Sequence, residues 1–188
     1  MDALTLVTAL ALQAAPPTCE DSALHRQFDF WVGDWAVYTQ TGQFAGINSI
    51  ETGAGGCVLH EHWTNAGGGT GHSLNWVDNE TGSWRQLWVG RRYQIDYSGG
   101  LNEDGAMVLN GVVTYARPDG PAGFDFRGAW IAQDNGHVIQ FFEQYDSDAE
   151  TWNTWGLLTY IPLDDEADLD RSATGPVIET APAPFDAD

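Results

Sequence analysis

With 188 residues, nine Trp, eight Phe, six Tyr and 22 Gly, the chain has room for one domain with a sizeable core, and its aromatic and glycine content suits strands joined by turns. Its 27 Asp and Glu stand against seven Arg and no Lys, for a formal net charge of −20. That charge excludes nucleic acid and anionic membrane surfaces as partners, since both would repel it, and the lack of an Asp-x-Asp-x-Asp-Gly loop argues against a calcium site.

At the start, Leu4 to Ala15 is an apolar run with a small-residue end, followed by Pro16-Pro17. This is the form of a secretory signal, although Met1-Asp2 lacks the usual basic leader. The run is too short to anchor the mature chain across a bilayer. It predicts a signal segment over residues 1–15 and an exported protein, periplasmic or secreted. Cys19 and Cys57 then read as one disulfide, formed in an oxidising compartment and tying the N-terminal arm to the body of the fold.

Asp21 to Trp31 has the makings of a short helix. It leads into Gly33-Asp34-Trp35, where the glycine allows a close backbone approach and the tryptophan is placed to plug the floor of a closed sheet. Period-2 segments follow near Asp34–Gln40, Phe44–Thr52, Cys57–Asn65, Thr70–Val77, Trp84–Gly90, Gln94–Ser98, Ala106–Ala116, Ala122–Ile131, His137–Tyr145 and Trp152–Ile161. The connections are short and rich in Gly, Asn and Asp, which leaves no room for crossover helices. About ten strands joined in this way predict an all-β, up-and-down antiparallel barrel over residues 19–162. Two hairpins, Asp78 to Trp84 and Asp146 to Trp152, place an Asp six residues before a Trp, a pattern that reads as one Asx-turn chemistry used twice. From Asp164 onward Asp, Glu, Ala and Pro dominate, so residues 163–188 are expected to form a disordered acidic tail.

The segments Phe28-Asp-Phe-Trp-Val-Gly-Asp-Trp35, Gly56-Cys-Val-Leu-His-Glu-His-Trp63, Gly71-His-Ser-Leu-Asn75 and Trp84-Arg-Gln-Leu-Trp-Val89 resemble exported bacterial lipocalin-like proteins of the DUF1579 type. Gly33-Asp34-Trp35 is also similar to the Gly-x-Trp signature of the calycins. The resemblance implies a lipocalin-like barrel with a ligand cavity, without naming the ligand or an activity.

The densest polar cluster falls on the third and fourth expected strands. On the third, one face carries Val58, His60, His62 and Thr64, and the other carries Cys57, Leu59, Glu61, Trp63 and Asn65. With Glu61 and Trp63 inward, Ser73, Asn75, Gln86 and Trp88 join them in an aromatic-walled cavity suited to a small apolar or aromatic molecule. Either Gln140, Phe142 and Gln144 or Phe141 and Glu143 complete the far wall. An inward Glu61 with no cation beside it would have a raised pKa and could serve as an acid or base; paired with Arg85 or Arg127 it would only hold strands together. With the other face inward, His60, His62 and His72 could form an open zinc site for an enzyme. Haem, which the nitrobindin branch of the calycins suggests, would need an axial histidine, and His137 sits in an expected turn. No nucleophile elbow, P-loop, dinucleotide fingerprint or CxxC motif occurs. The reading is therefore a small-molecule binder with no cofactor. A metal-dependent or Glu61 acid–base enzyme is the alternative, and the oligomeric state stays open.

Overall fold

The computed structural model describes residues 18–166 and 169–185, so the expected signal segment lies outside the described residues. Ten strands follow one another: β1 (Gly33–Thr39), β2 (Phe44–Gly53), β3 (Val58–Asn65), β4 (Thr70–Val77), β5 (Trp84–Gly90), β6 (Tyr93–Leu101), β7 (Met107–Tyr115), β8 (Ala122–Ala132), β9 (Val138–Asp146) and β10 (Thr151–Pro162). Each pairs antiparallel with its chain neighbours, and β1 pairs with β10, for example Val37 opposite Tyr160, which closes the barrel. Closure leaves no free strand edge.

The strands agree with the period-2 reading, with one instructive shortfall. β6 runs on through Gly99-Gly100, residues that read as a break. A Cβ at Gly99 would meet the Val108 carbonyl oxygen at 2.0 Å, so this glycine admits a close approach of β7 and does not end the strand. The two similar hairpins do use the same turn: Asp78 Oδ1 accepts from the Glu80 amide at 2.8 Å, and Asp146 Oδ1 from the Asp148 amide at 3.0 Å. They cap opposite ends of the barrel.

The end that carries the N-terminal arm is the floor. The arm does not form the expected helix; it is a succession of tight turns with two 3-10 segments, Cys19–Asp21 and Asp29–Trp31. Most of its backbone bonds span three residues, as from the Trp31 amide to Phe28 O at 3.1 Å. This tighter winding turns Phe28 and Trp31 together into the barrel. Both are fully buried, stacked at 4.9 Å, with Phe28 5.6 Å from Trp84 and 5.3 Å from Trp130. The plug is thus mainly Phe28 and Trp31. Trp35 lies beside it and donates its indole N–H to Trp31 O at 2.9 Å. Gly33, at φ 137°, makes the turn from arm to strand.

Cys19 and Cys57 form a disulfide that pins the arm to the start of β3. Such a bond belongs to an oxidising, extracellular environment. No helix among the described residues is long and apolar enough to cross a membrane.

Beyond β10 the described tail residues form no strand, yet they lie along the barrel wall where composition predicts a free tail. Gly175 donates its amide to Gly42 O at 2.9 Å and Ile178 to Gln40 O at 3.0 Å; a Cβ on Gly175 would meet the Tyr38 ring at 2.3 Å. Farther along, Asn102 Nδ2 donates to Pro184 O at 3.0 Å. Phe185 packs on Phe141 at 5.6 Å, and the Arg127 guanidinium lies over the Phe185 ring and over the Trp152 ring, each at 4.2 Å. Tyr38 and Phe141 project outward yet are buried. Substituting Phe185→Ala is expected to lower stability by about 1 kcal/mol, through the lost ring and cation–π contacts. A urea midpoint that stays put would show the tail contributes nothing to the fold.

Candidate functional site

Alternation along each strand separates a lumen face from an outer face. On β3 the lumen face is Leu59, Glu61 and Trp63, with Leu59 and Glu61 buried, whereas His62 is exposed outside. Deep in the lumen runs a belt of polar side chains, one per strand except where noted. Tyr97 donates to Gln86 Oε1, and Gln86 Nε2 donates to Asn75 Oδ1. Asn75 Nδ2 donates to Ser73 Oγ on its own strand at 2.9 Å, and Ser73 Oγ donates to Glu61 Oε2 at 2.6 Å. Asn48 Nδ2 donates to Glu61 Oε1 at 2.7 Å and to the Tyr160 hydroxyl at 3.2 Å, and Tyr160 donates to Gln140 Oε1 at 3.0 Å. The belt thus links β6, β5, β4, β3, β2, β10 and β9. A buried polar group without partners is destabilising, so a connected belt is how a lumen tolerates this many amides and hydroxyls.

Among the described residues, Glu61 is the only charged side chain on the cavity wall. It is 4% exposed, and no described cation pairs with it. Arg85 is held outside by Asp96 at 2.9 Å and Arg127 by Glu143 at 2.8 Å, which overturns the strand-fastening reading of Glu61. Burial pushes its pKa up to about 7, against the weaker opposing pull of the Ser73 and Asn48 hydrogen bonds. When the carboxyl holds a proton, Ser73 Oγ can accept it. So can Asn48 Oδ1, buried without a partner, after a turn of its amide. Burial also raises the Tyr97 and Tyr160 hydroxyls well above their usual value, with the nearby Glu61 charge adding to it.

Above the belt lies a cavity of about 210 Å³, lined by Glu61, Gln86, Tyr97, Gln140 and Tyr160 below and by Trp63, Trp88, Tyr93, Phe142 and Trp155 toward the mouth. Its volume exceeds the ~150 Å³ that takes up benzene in an engineered protein and falls short of the ~300 Å³ at which drug-sized pockets begin. Two of the tryptophans sit on glycines of the next strand. A Cβ at Gly71 would meet the Trp88 ring at 2.4 Å, and one at Gly46 would meet the Trp63 ring at 2.7 Å. The missing side chains leave seats that hold the indoles over the sheet. Trp155, at the bulge in β10, packs edge-on against Tyr93 at 5.5 Å and donates to the Tyr115 hydroxyl at 2.8 Å.

Of the expected binding residues, Glu61, Trp63, Gln86 and Trp88 line the cavity together. Ser73 and Asn75 do not; they stand in the wall and orient Glu61 and Gln86. On the far side Gln140 and Phe142 are the inward pair, while Phe141 and Glu143 face outward. Sequence reasoning missed Asn48, Tyr93, Tyr97, Trp155 and Tyr160. The alternation of Tyr93, Ile95 and Tyr97 along β6 carried a usable signal; the bulge that turns Trp155 inward did not announce itself.

The histidine alternative needed the opposite facing. His62 and His72 do meet, with Nδ1 atoms 3.1 Å apart, but on the outer wall, and His60 lies on that same outer face. Among the described residues no three His, Cys, Asp or Glu side chains form a group able to hold a metal. Among the described residues no histidine lines the cavity, and His137 is exposed in a turn, so the lumen does not fit a haem with an axial imidazole.

Fold and site together define a class: a ten-stranded up-and-down antiparallel barrel whose aromatic cavity is served by one buried carboxyl. No protein-family model matches the chain, and no curated protein matches it.

Proposed function

We propose that this protein is an exported, lipocalin-like carrier that binds a small aromatic or compact apolar molecule inside the barrel. The observation that carries this reading is the cavity itself, aromatic at the mouth and polar at its base, the usual composition of a small-molecule site. Trp63, Trp88 and Phe142 supply apolar contact, and Glu61 and Gln86 orient the ligand by hydrogen bonds. The apolar run at Leu4–Ala15 and the disulfide support export to the periplasm or the medium. The Gly33-Asp34-Trp35 turn supports kinship with the calycins and with the DUF1579 type.

Amide NMR with indole as the probe tests the reading. Indole is expected to shift the resonances of Trp63, Trp88, Tyr93 and Trp155, and a Leu158→Trp variant, which fills the cavity, should abolish those shifts. Shifts confined to the outer wall, or none at millimolar indole, would remove the carrier assignment. A second reading rests on the Glu61 carboxyl, which titrates near neutrality inside a cavity and so suits proton exchange with a bound molecule. Chemical conversion of a bound compound, lost in Glu61→Gln, would move the assignment to an enzyme.

A further inference from the structure

We infer that the ligand is a small organic cation, an amine or quaternary ammonium on a body of about one ring, held against Glu61 and enclosed by Trp63, Trp88, Tyr93 and Trp155. This rests on the ligand-binding reading above and names its ligand class. Glu61 lines the cavity as a carboxyl with no cation beside it among the described residues. Asn48 and Ser73 take one lone pair on each oxygen, which leaves acceptor capacity on both for a guest. An anionic guest would meet a like charge in a dry site. A neutral hydrocarbon would leave the carboxyl unanswered. A cation satisfies it and also gains from the surrounding rings, the combination by which aromatic cages recognise quaternary ammonium groups.

The wider field agrees. The chain's formal charge of −20 concentrates cations near its surface. Arg91 and Arg92 in the β5–β6 hairpin and Arg117 after β7 stand at the mouth end, but none lines the cavity, and Arg117 lies over Tyr115 and Phe124 at 5.9 and 5.4 Å. Asp119, Asp146, Asp148 and Glu150 share that end. The titratable groups that interact with Glu61 across the lumen are Tyr93, Tyr97 and Tyr160, all with raised pKa values. They stay neutral near pH 7, so of these four groups Glu61 is the one that changes charge there. Binding a quaternary cation below that pH must release the Glu61 proton to solvent.

Calorimetric titration with three probes of one shape tests this: phenyltrimethylammonium, its neutral isostere tert-butylbenzene, and benzoate. At pH 8 the cation is expected to bind at least about tenfold tighter than tert-butylbenzene, with benzoate weakest. From pH 8 to pH 6 the cation should lose about tenfold in affinity as Glu61 takes up its proton. In Glu61→Gln the preference and the pH dependence should both vanish while tert-butylbenzene still binds through the ring contacts, which shows the cavity intact. Equal affinity for the neutral probe, or tighter binding of benzoate, would overturn the cation inference and leave the carrier reading standing. Binding of none of the three would overturn both.

Discussion

Glu61→Gln is expected to stabilise the protein above pH 7 and to leave it nearly unchanged below pH 4.5. The folded carboxyl holds its proton up to about pH 7, against an unfolded value of 4.5. Between these values the folded state binds one more proton than the unfolded state, so stability from this group is fully present below pH 4.5 and is lost as pH rises through 7. The difference corresponds to about 3 kcal/mol, a large fraction of an ordinary folding free energy. The chain's other acidic residues also titrate, and acid relieves their mutual repulsion. The informative quantity is therefore the wild-type minus variant difference in urea-unfolding free energy, measured from pH 4 to pH 8. A difference that stays flat would mean that water or a cation reaches the carboxyl and that burial does not govern it.

Replacing both Cys19 and Cys57 by serine is expected to lower stability by about 4 kcal/mol, from the chain entropy of a loop closed over 38 residues. For a chain of this size that corresponds to a melting temperature lower by roughly 10 °C. Most of the effect falls on the arm. The disulfide holds the turns that carry Phe28 and Trp31 into the floor, and the Trp84 indole N–H to Leu24 O bond at 3.1 Å is a further tie. The ten paired strands should still form, so far-ultraviolet circular dichroism should change little while near-ultraviolet signals from the buried tryptophans weaken. An unchanged melting temperature under reducing conditions would show that the stacked floor holds the arm unaided.

The strands were readable because alternation and turn chemistry are local. Asn65-Ala-Gly-Gly-Gly69 and Asp134-Asn-Gly136 mark their ends with residues whose backbone preferences act within a few positions. The arm was misread because Asp21 to Trp31 carries helix-compatible spacing, whereas a 3-10 winding brings Phe28 and Trp31 onto one side for the floor. The contacts of the tail were not legible for a related reason. Its composition cannot build a core, but Gly175, Ile178 and Phe185 need only find the outer face of one already formed. For the site, sequence alternation named two faces of β3 and could not choose between them. Each mixes apolar and polar residues, and the ordinary expectation places a glutamate outside.

By itself, the sequence determined an antiparallel barrel, the Cys19–Cys57 bridge and the set of residues that share each strand face, since strand period, turn type and cysteine number are properties of short stretches of chain. Only the tertiary structure decided that Glu61 points into the lumen, that Asn48 and Tyr160 complete its belt, and that His62 and His72 meet outside. The belt depends on closure of β1 on β10, which brings Asn48 and Tyr160, 112 positions apart, within a hydrogen bond of each other. Closure selects the inward face by the total apolar area it buries, Leu59, Trp63, Trp88 and Phe142 outweighing the burial of one carboxyl that Asn48 and Ser73 hydrogen-bond in part.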